Sequence, residues 1–445
     1  SVDATTHASG VLIASLGQEP DQRSLHGVQP LEMGVSRTHV RRPGKLRVVI
    51  VGGGVAALEV ALALSQLAPE LTDTTLIASN QELVYRPMTV REPFSYGLAR
   101  RYPLESIVHA AGALLLGEEL DWLDRDQHMV HTNTGKALEY DALALALGAR
   151  PIARYEHAIT IDDRRMDETL HGLVQDIEGG YVKSLAFVSP GRMAWPLPLY
   201  ELALMSAGRA YEAGVEMSVT IATPEDSPLQ VFGLTASSAV AGVLERAHVQ
   251  FVGSAYVEMP KAGELVIAPG KRHLHADRVI ALPELEGPTV RGIPLGDHGF
   301  IRVDPWGRVP DVDDIYAAGD ATDFPIKHGG IAAQQADAVA LSIAAAAGAP
   351  VAPERFHPVI RGMLLTDSEP VYLTARLTGG GSFSSEITDA PTWSPPSKIA
   401  ARYLAPYLDA VDHETVEAGG TLTSQGPAAD QIDHTPATGA SVASV

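Results

Sequence analysis

From Lys45 onward the chain alternates short apolar runs with amphipathic stretches, the pattern of strands that feed helices in a wound α/β fold. Val48 to Val51 are four β-branched residues without a polar break, which predicts a short strand buried on both faces. After glycines at 52–54, Val55, Leu58, Leu62 and Leu67 fall near one face and predict a helix over Val55 to Leu67. A second strand follows at Thr74 to Ile77, and a strand, turn and strand between Leu114 and Leu147 end in the apolar run Ala142 to Leu147. Pro151 breaks the chain there. The theme then repeats, with strands at Leu185 to Val188, Met217 to Ile221 and Val249 to Val252 and helices at Leu199 to Tyr211 and Leu234 to Ala247. Ala276 to Pro283 leads back as a strand, Phe300 to Asp304 begins the return to the first domain, and a small apolar strand after Asp314 precedes an Ala-rich helix from Ile331 to Ala347. Short strands such as Pro370 to Arg376, a Gly-rich turn at Gly379 to Gly381 and a final helix from Lys398 to Ala410 complete the ordered part. Residues 1–44 show no sustained period and read as a flexible arm; 411–445 are acidic, small and turn-rich and read as a disordered tail.

The fold class expected is α/β, with two Rossmann-like dinucleotide-binding domains and a small C-terminal α+β cap. Residues 45–157 and 288–350 form the first domain, 158–287 the second, inserted into it, and 351–410 the cap. Chemistry is concentrated in the turns. Gly52-Gly53-Gly54-Val55-Ala-Ala57 follows a buried strand and opens a helix, the order a dinucleotide cradle needs: Gly52 for the tight turn, Gly54 for close approach to a diphosphate, Ala57 for helix against strand. The helix N-terminus adds amides and a dipole. At the end of the second strand an acid would hold the adenosine ribose, but the chain has Ser79 and Asn80, neutral and weaker partners. Arg86-Pro87 forms a rigid turn, Gly148 ends the third apolar strand, and Gly319-Asp320 places a carboxylate where only glycine permits close approach. Lys327-His328-Gly329-Gly330 precedes the helix at Ile331, whose amide end suits negative charge on a reduced ring. The corresponding loop of the second domain, Ser189 to Glu201, has one glycine and three prolines, which lack amide donors, so a second phosphate cradle is not expected.

Bulk properties narrow the functions. Formal net charge is -21 over 445 residues with no long basic run, so nucleic acid is not an expected partner. The longest apolar segment, Ile331 to Ala347, is too short and polar to span a bilayer, no secretory signal is evident, and the cytoplasm is the default location. The chain contains no cysteine, which excludes a disulfide relay, a persulfide, a cysteinyl flavin link and a thiolate metal site. His273 and His275 share a strand face without a carboxylate at ligand spacing and read as surface residues; no metal is expected.

Three separated pieces, Gly52 to Ala57, Ala146 to Pro151 and Tyr316 to Asp320, together resemble the FAD-binding elements of the two-dinucleotide-domain flavoproteins, the superfamily of type II NADH dehydrogenases and sulfide:quinone oxidoreductases. The resemblance implies FAD, with Gly52, Gly53, Gly54, Val55 and Ala57 at its diphosphate, Ser79 and Asn80 at the ribose, Arg86 and Pro87 beside the isoalloxazine, Gly148 close to the cofactor, Gly319 and Asp320 at the ribityl and diphosphate region and Ile331 at the pyrimidine edge. Lys327 and His328 are then the candidate catalytic groups. Gln334-Gln335 is similar to glutamines near the quinone pocket of type II NADH dehydrogenases; two helical glutamines facing solvent or a domain contact are the other reading. The altered second loop is similar to the sulfide:quinone branch, whose cysteine mechanism this chain cannot run. The implied activity is transfer of two electrons through a noncovalent flavin from an unidentified small-molecule donor to a quinone or other diffusible acceptor. An NAD(P)H reductase with a nonstandard loop and a non-catalytic scaffold subunit stay open, as do peripheral membrane contact through the last helix and homo- or hetero-oligomers.

Overall fold

The computed structural model describes residues 44–191, 195–366, 369–378 and 382–417. The first sheet contains β1 (Leu46–Val51), β2 (Thr72–Ile77), β3 (Leu114–Leu116), β4 (Ala142–Leu145) and, after a long excursion, β10 (Ile315–Ala317). All are parallel, in the order β10-β4-β1-β2-β3. Val48 to Val51 are at most 3 % exposed, as an unbroken β-branched run in a central parallel strand requires. Helix α1 (Val55–Leu67) lies against α6 (Gly329–Ala347), and alanines on both, Ala57, Ala61, Ala333 and Ala336 among them, are buried where the helices meet. Small side chains let the two helices approach closely, and both then start at the same end of the sheet.

The excursion builds a second parallel sheet from β5 (Ile159–Thr160), β6 (Ser184–Val188), β7 (Ser218–Ala222), β8 (Val249–Val252) and β9 (Arg278–Ala281), in the order β5-β9-β6-β7-β8. Helices α3 (Met166–Glu178), α4 (Leu197–Glu212) and α5 (Leu234–Arg246) accompany it, while the short α2 (Leu104–Ala110) belongs with the first sheet. The cap is an antiparallel meander, β11 (Val359–Leu364), β12 (Val371–Thr378) and β13 (Ser382–Thr388), followed by α7 (Leu404–Glu417). Ile360, Leu364 and Leu373 of the meander share a core with Leu199, Leu202 and Phe232 of the second domain.

On the return to the first domain Ile301 bridges to Thr322. One expectation needs correction. The last helix starts at Leu404 rather than Lys398 and runs past Ala410 to Glu417, so the tail expected from 411 is helical for its first residues. The preceding segment, with Pro395 and Pro396, is a run of bends, and its amides are taken by other elements: Ile399 N donates to Tyr85 Oη at 2.9 Å, and Arg402, Tyr403 and Leu404 donate to the Glu59 carboxylate at 2.6, 2.9 and 2.7 Å. Residues 1–43 and 418–445, which hold nearly all of the expected arm and the rest of the tail, and the turn at 379–381 lie outside the described residues. Ile399, Leu404 and Leu408 are buried in the first core, so the apolar side of the last helix is covered; Asp409, His413 and Glu414 face outward. Among the described residues no helix is long and apolar enough to cross a membrane.

Candidate functional site

Strand register brings three dispersed turns to one edge. Leu145 pairs with Val51 on one side and Ala317 on the other, so β1, β4 and β10 end level and release Gly52, Gly148 and Gly319 together. This is the position at which open α/β sheets bind ligands. Gly52 has φ +130, and a Cβ there would stand 2.2 Å from the Ala146 carbonyl oxygen, so the close approach of two strand ends requires glycine. Gly319 is wedged between the first turns of two helices: a Cβ would lie 3.1 Å from Ala56 and 3.4 Å from Ala332 side chains. Gly54 differs, because a Cβ on it would meet nothing within 4 Å, and no side chain caps the helix it opens. The first-turn amides of α1 therefore face open space. Ala57 is fully buried and Val55 partly so.

Ser79 and Asn80 are exposed beside this space. Asn80 Nδ2 donates to the carbonyls of Gly53 at 3.3 Å and Glu82 at 3.0 Å, which leaves Oδ1 as the atom able to accept a hydroxyl. Around the opposite side stand charged groups from both domains. Arg86 pairs with Asp163 at 3.8 Å, each side chain about half exposed at 48% and 50%. Asp320 lies in the field of Lys327, Asp163 and Arg86, and burial pushes its carboxyl above the ordinary range while the cations oppose that. Asp163 is raised for the same first reason, although half of its surface is accessible: protein surrounds it on the wall of an open cleft. Sequence reasoning missed Asp163, because it sits between β5 and α3, far in sequence from every glycine turn.

Lys327 is 8 % exposed, donates to the Thr322 carbonyl and stands 4.1 Å from the Phe300 ring centroid. Burial lowers its ammonium to about 8, against the pull of Asp320 and Asp323. His328 caps α6: its Nδ1 accepts from Gly330 N at 3.0 Å, which puts the imidazole proton on Nε2. Burial lowers the ring to about 3, and it packs against Trp195 with centroids 4.2 Å apart and the planes tilted by 33°. Nε2 is buried without a hydrogen-bond partner among the described residues. His328 is thus a fixed neutral donor, and Lys327 is the member of the pair that titrates near neutrality. Ile331 is buried and donates its amide to the His328 carbonyl at 3.1 Å. Gln335 Oε1 accepts from Gly319 N at 2.8 Å, and Gln334 exchanges two 2.9 Å bonds with the Val359 backbone. Both glutamines are engaged in holding the turn and the cap, the domain-contact alternative.

The second sheet has a comparable exit at β6, where Val188 pairs with Ala222 and Ala281. Gly191 faces the Tyr256 ring, which a Cβ would meet at 3.6 Å; residues 192–194 of this loop lie outside the described residues. Pro196 stands at the N-cap of α4 and Pro198 in its first turn. An acid does follow β7, where a dinucleotide ribose would call for one, but Glu225 is buried and accepts from Tyr200 Oη at 2.6 Å and Thr223 Oγ1 at 3.2 Å. Burial raises its carboxyl to about 7. The signal for Glu225 was its place three residues beyond the strand; its inward orientation carried none.

Residues 46–169 and 201–338 match the family described as pyridine nucleotide-disulphide oxidoreductase. The chain is 25% identical over 282 residues to the mercuric reductase of Shigella flexneri, covering 61% of this chain and 44% of that protein. It is 25% identical over 307 residues to the rhodocoxin reductase of Rhodococcus erythropolis, covering 63% of this chain and 66% of that one. It thus spans less than two thirds of either relative. Among solved structures, the sulfide:quinone oxidoreductase of the hyperthermophilic bacterium Aquifex aeolicus superposes with a TM-score of 0.68 at 18% identity, over 85% of this chain and 93% of that one.

Proposed function

The chain belongs to the pyridine nucleotide-disulphide oxidoreductase family, and from that premise we propose that it is an FAD-dependent oxidoreductase that takes two electrons from a donor other than NAD(P)H and passes them to a quinone or another diffusible acceptor. The observation that carries the reading is the contrast between its two sheets. At the first, Gly54 and the uncapped start of α1 open onto free space; at the second, the acid after β7 is buried against the Tyr200 hydroxyl and prolines stand at the start of α4.

The residues present fit FAD. The open face of Gly54 and the uncapped start of α1 would receive its diphosphate, with Gly52, Gly53, Val55 and Ala57 shaping the turn. Ser79 and Asn80 Oδ1 would meet the ribose as neutral acceptors, Gly148, Gly319 and Asp320 would line the ribityl region, and Arg86, Pro87 and the start of α6 near Ile331 would border the ring. Bound FAD supplies the two-electron chemistry, and the chain supplies orientation and charge around it. Lys327 Nζ, protonated below about pH 8, sets a positive charge beside Asp320 and can give up its proton as pH rises. His328 stays neutral, fixes the first turn of α6 and, with Trp195, excludes water from that wall. No thiol takes part, since the sequence contains none. The acceptor assignment draws on the likeness in fold to the sulfide:quinone oxidoreductase of Aquifex aeolicus, and the donor assignment on the buried Glu225 and on Pro196 and Pro198 at the exit of the second sheet.

Anaerobic mixing of the yellow protein with excess NADH or NADPH tests the donor. The flavin should stay oxidised for minutes. Bleaching within seconds would replace this reading with a nicotinamide-dependent reductase.

A further inference from the structure

Two fully enclosed charges from different domains meet where no sequence signal placed a site. Lys398, in the bent segment before α7, and Glu201, on α4, have side chains only 4% and 1% exposed and pair at 2.6 Å. Lys398 Nζ also donates to the Pro87 carbonyl at 2.9 Å, and the Glu201 oxygen that it contacts accepts from Leu365 N at 2.9 Å. Four elements thus converge on one ion pair: the second-domain helix, the cap strand end, the C-terminal segment and the Arg86–Phe94 turn of the first domain. Further along α4, Arg209 donates to the Phe94 carbonyl and stands 4.9 Å from the Tyr96 ring centroid. Positions 201 and 209 are about 12 Å apart along a helix. Helix α4 therefore holds the Arg86–Phe94 turn at both ends, although that turn belongs to the other domain.

We infer that the Lys398–Glu201 pair is a positioning device for the flavin site, which fixes Arg86 and Pro87 against the cleft that Asp320 and Lys327 line and so couples the cap and the second domain to the flavin environment. The inference rests on the proposed placement of Arg86-Pro87 at the ring. Three features favour it over a merely structural role. The pair is a buried polar link between Pro87 and the second domain, beside the apolar packing of Val90 and Phe94 into the same domain. Arg86, the next residue, faces Asp163 and the Asp320 carboxyl, so movement of Pro87 moves a charge in the cleft. And a buried ion pair is an uneconomical way to gain stability, since an apolar pair of similar volume commonly does as well or better. Burial lowers the Lys398 ammonium and raises the Glu201 carboxyl, and each is held in its charged form by the other.

The test uses the FAD-loaded full chain and compares wild type with Lys398→Met, Glu201→Gln and the double variant. Either single change leaves a buried polar group without its partner and should lower the melting temperature. The double variant removes both charges, keeps an acceptor for Leu365 N and should regain most of that stability. Visible circular dichroism of the bound flavin and its midpoint potential then separate the roles. Positioning predicts that both shift in the double variant although it is folded, in the same direction as in Arg86→Ala. A stable double variant with wild-type dichroism and potential, alongside an altered Arg86→Ala, overturns the inference and leaves the flavin placement standing. If Arg86→Ala also keeps both signals, the placement of the turn at the ring is what has failed, and the inference falls with it. If the double variant does not fold, Glu201→Gln held below its melting transition serves: shifted dichroism and potential support positioning, and wild-type values alongside an altered Arg86→Ala overturn it.

Discussion

Asp337 on α6 and Glu59 on α1 set two carboxyl groups against each other where the helices meet, and their repulsion and burial favour a single proton on the pair. Glu59 is 0 % exposed and accepts three amides from the start of the last helix, which favours its charged form, so the proton resides on Asp337. Burial and the Glu59 charge push Asp337 up to about 8, with Glu354 adding to the repulsion and Arg402 opposing it.

A stability profile follows. An acid raised from 3.8 to about 8 on folding stabilises the protein fully below the lower value, and that contribution is lost as pH rises through the upper one. Wild-type melting temperature should therefore fall between pH 6 and 9. Asp337→Asn keeps a donor toward Glu59 without a titrating proton, so its fall should be smaller and its stability at pH 9 higher than wild type, by roughly 1 kcal/mol. Parallel thermal melts at the two pH values check this; identical slopes would refute the shared proton.

The glycines of the first turn should separate into two classes. Gly52→Ala forces a Cβ onto the Ala146 carbonyl in a backbone region that disfavours it and should cost ~2 kcal/mol or more. Gly54→Ala meets open space, should change stability by less than ~1 kcal/mol, and should weaken FAD by ~10-fold or more by filling the cradle. Melting curves and the ratio of flavin to protein absorbance distinguish them. Equal flavin content in Gly54→Ala and wild type would remove Gly54 from the site.

Much of this site was legible in the sequence because its signals are local. A β-branched run, a glycine turn and a helix period occupy adjacent positions, and helix Val55–Leu67 forms over the residues that its spacing predicts. Strand register, which no local pattern encodes, supplies the rest: Gly52, Gly148 and Gly319 meet only because Leu145 pairs with both Val51 and Ala317. Contacts between distant residues were invisible for the same reason. Lys398 and Glu201 are 197 positions apart, and the capping of the last helix by Glu59 moved its start, since a helix N-terminus satisfied from another element needs no capping residue of its own. Glu225 kept the position of a ribose acceptor, but a hydroxyl on a neighbouring helix turned it inward.

Lys327 should govern how the flavin responds to pH. Its ammonium, lowered to about 8, is charged at pH 7 and largely neutral at pH 9. The visible spectrum and reduction rate of the wild-type flavin should therefore change with a midpoint near that value. Lys327→Met should abolish the transition and slow reduction by about tenfold to a hundredfold, the scale for losing one group beside a developing charge. His328→Gln, with no charge to lose, should leave the pH transition in place. A pH titration of the three proteins decides the assignment; a transition that survives in Lys327→Met would contradict it.

In its sharpest form the proposed function has electrons held on the bound flavin leave to a quinone. The most direct measurement is anaerobic photoreduction of the purified protein followed by addition of a short-chain quinone without NAD(P)H. The account predicts that the yellow absorbance returns within seconds, with one quinone consumed per flavin. A flavin that stays bleached in excess quinone would contradict it.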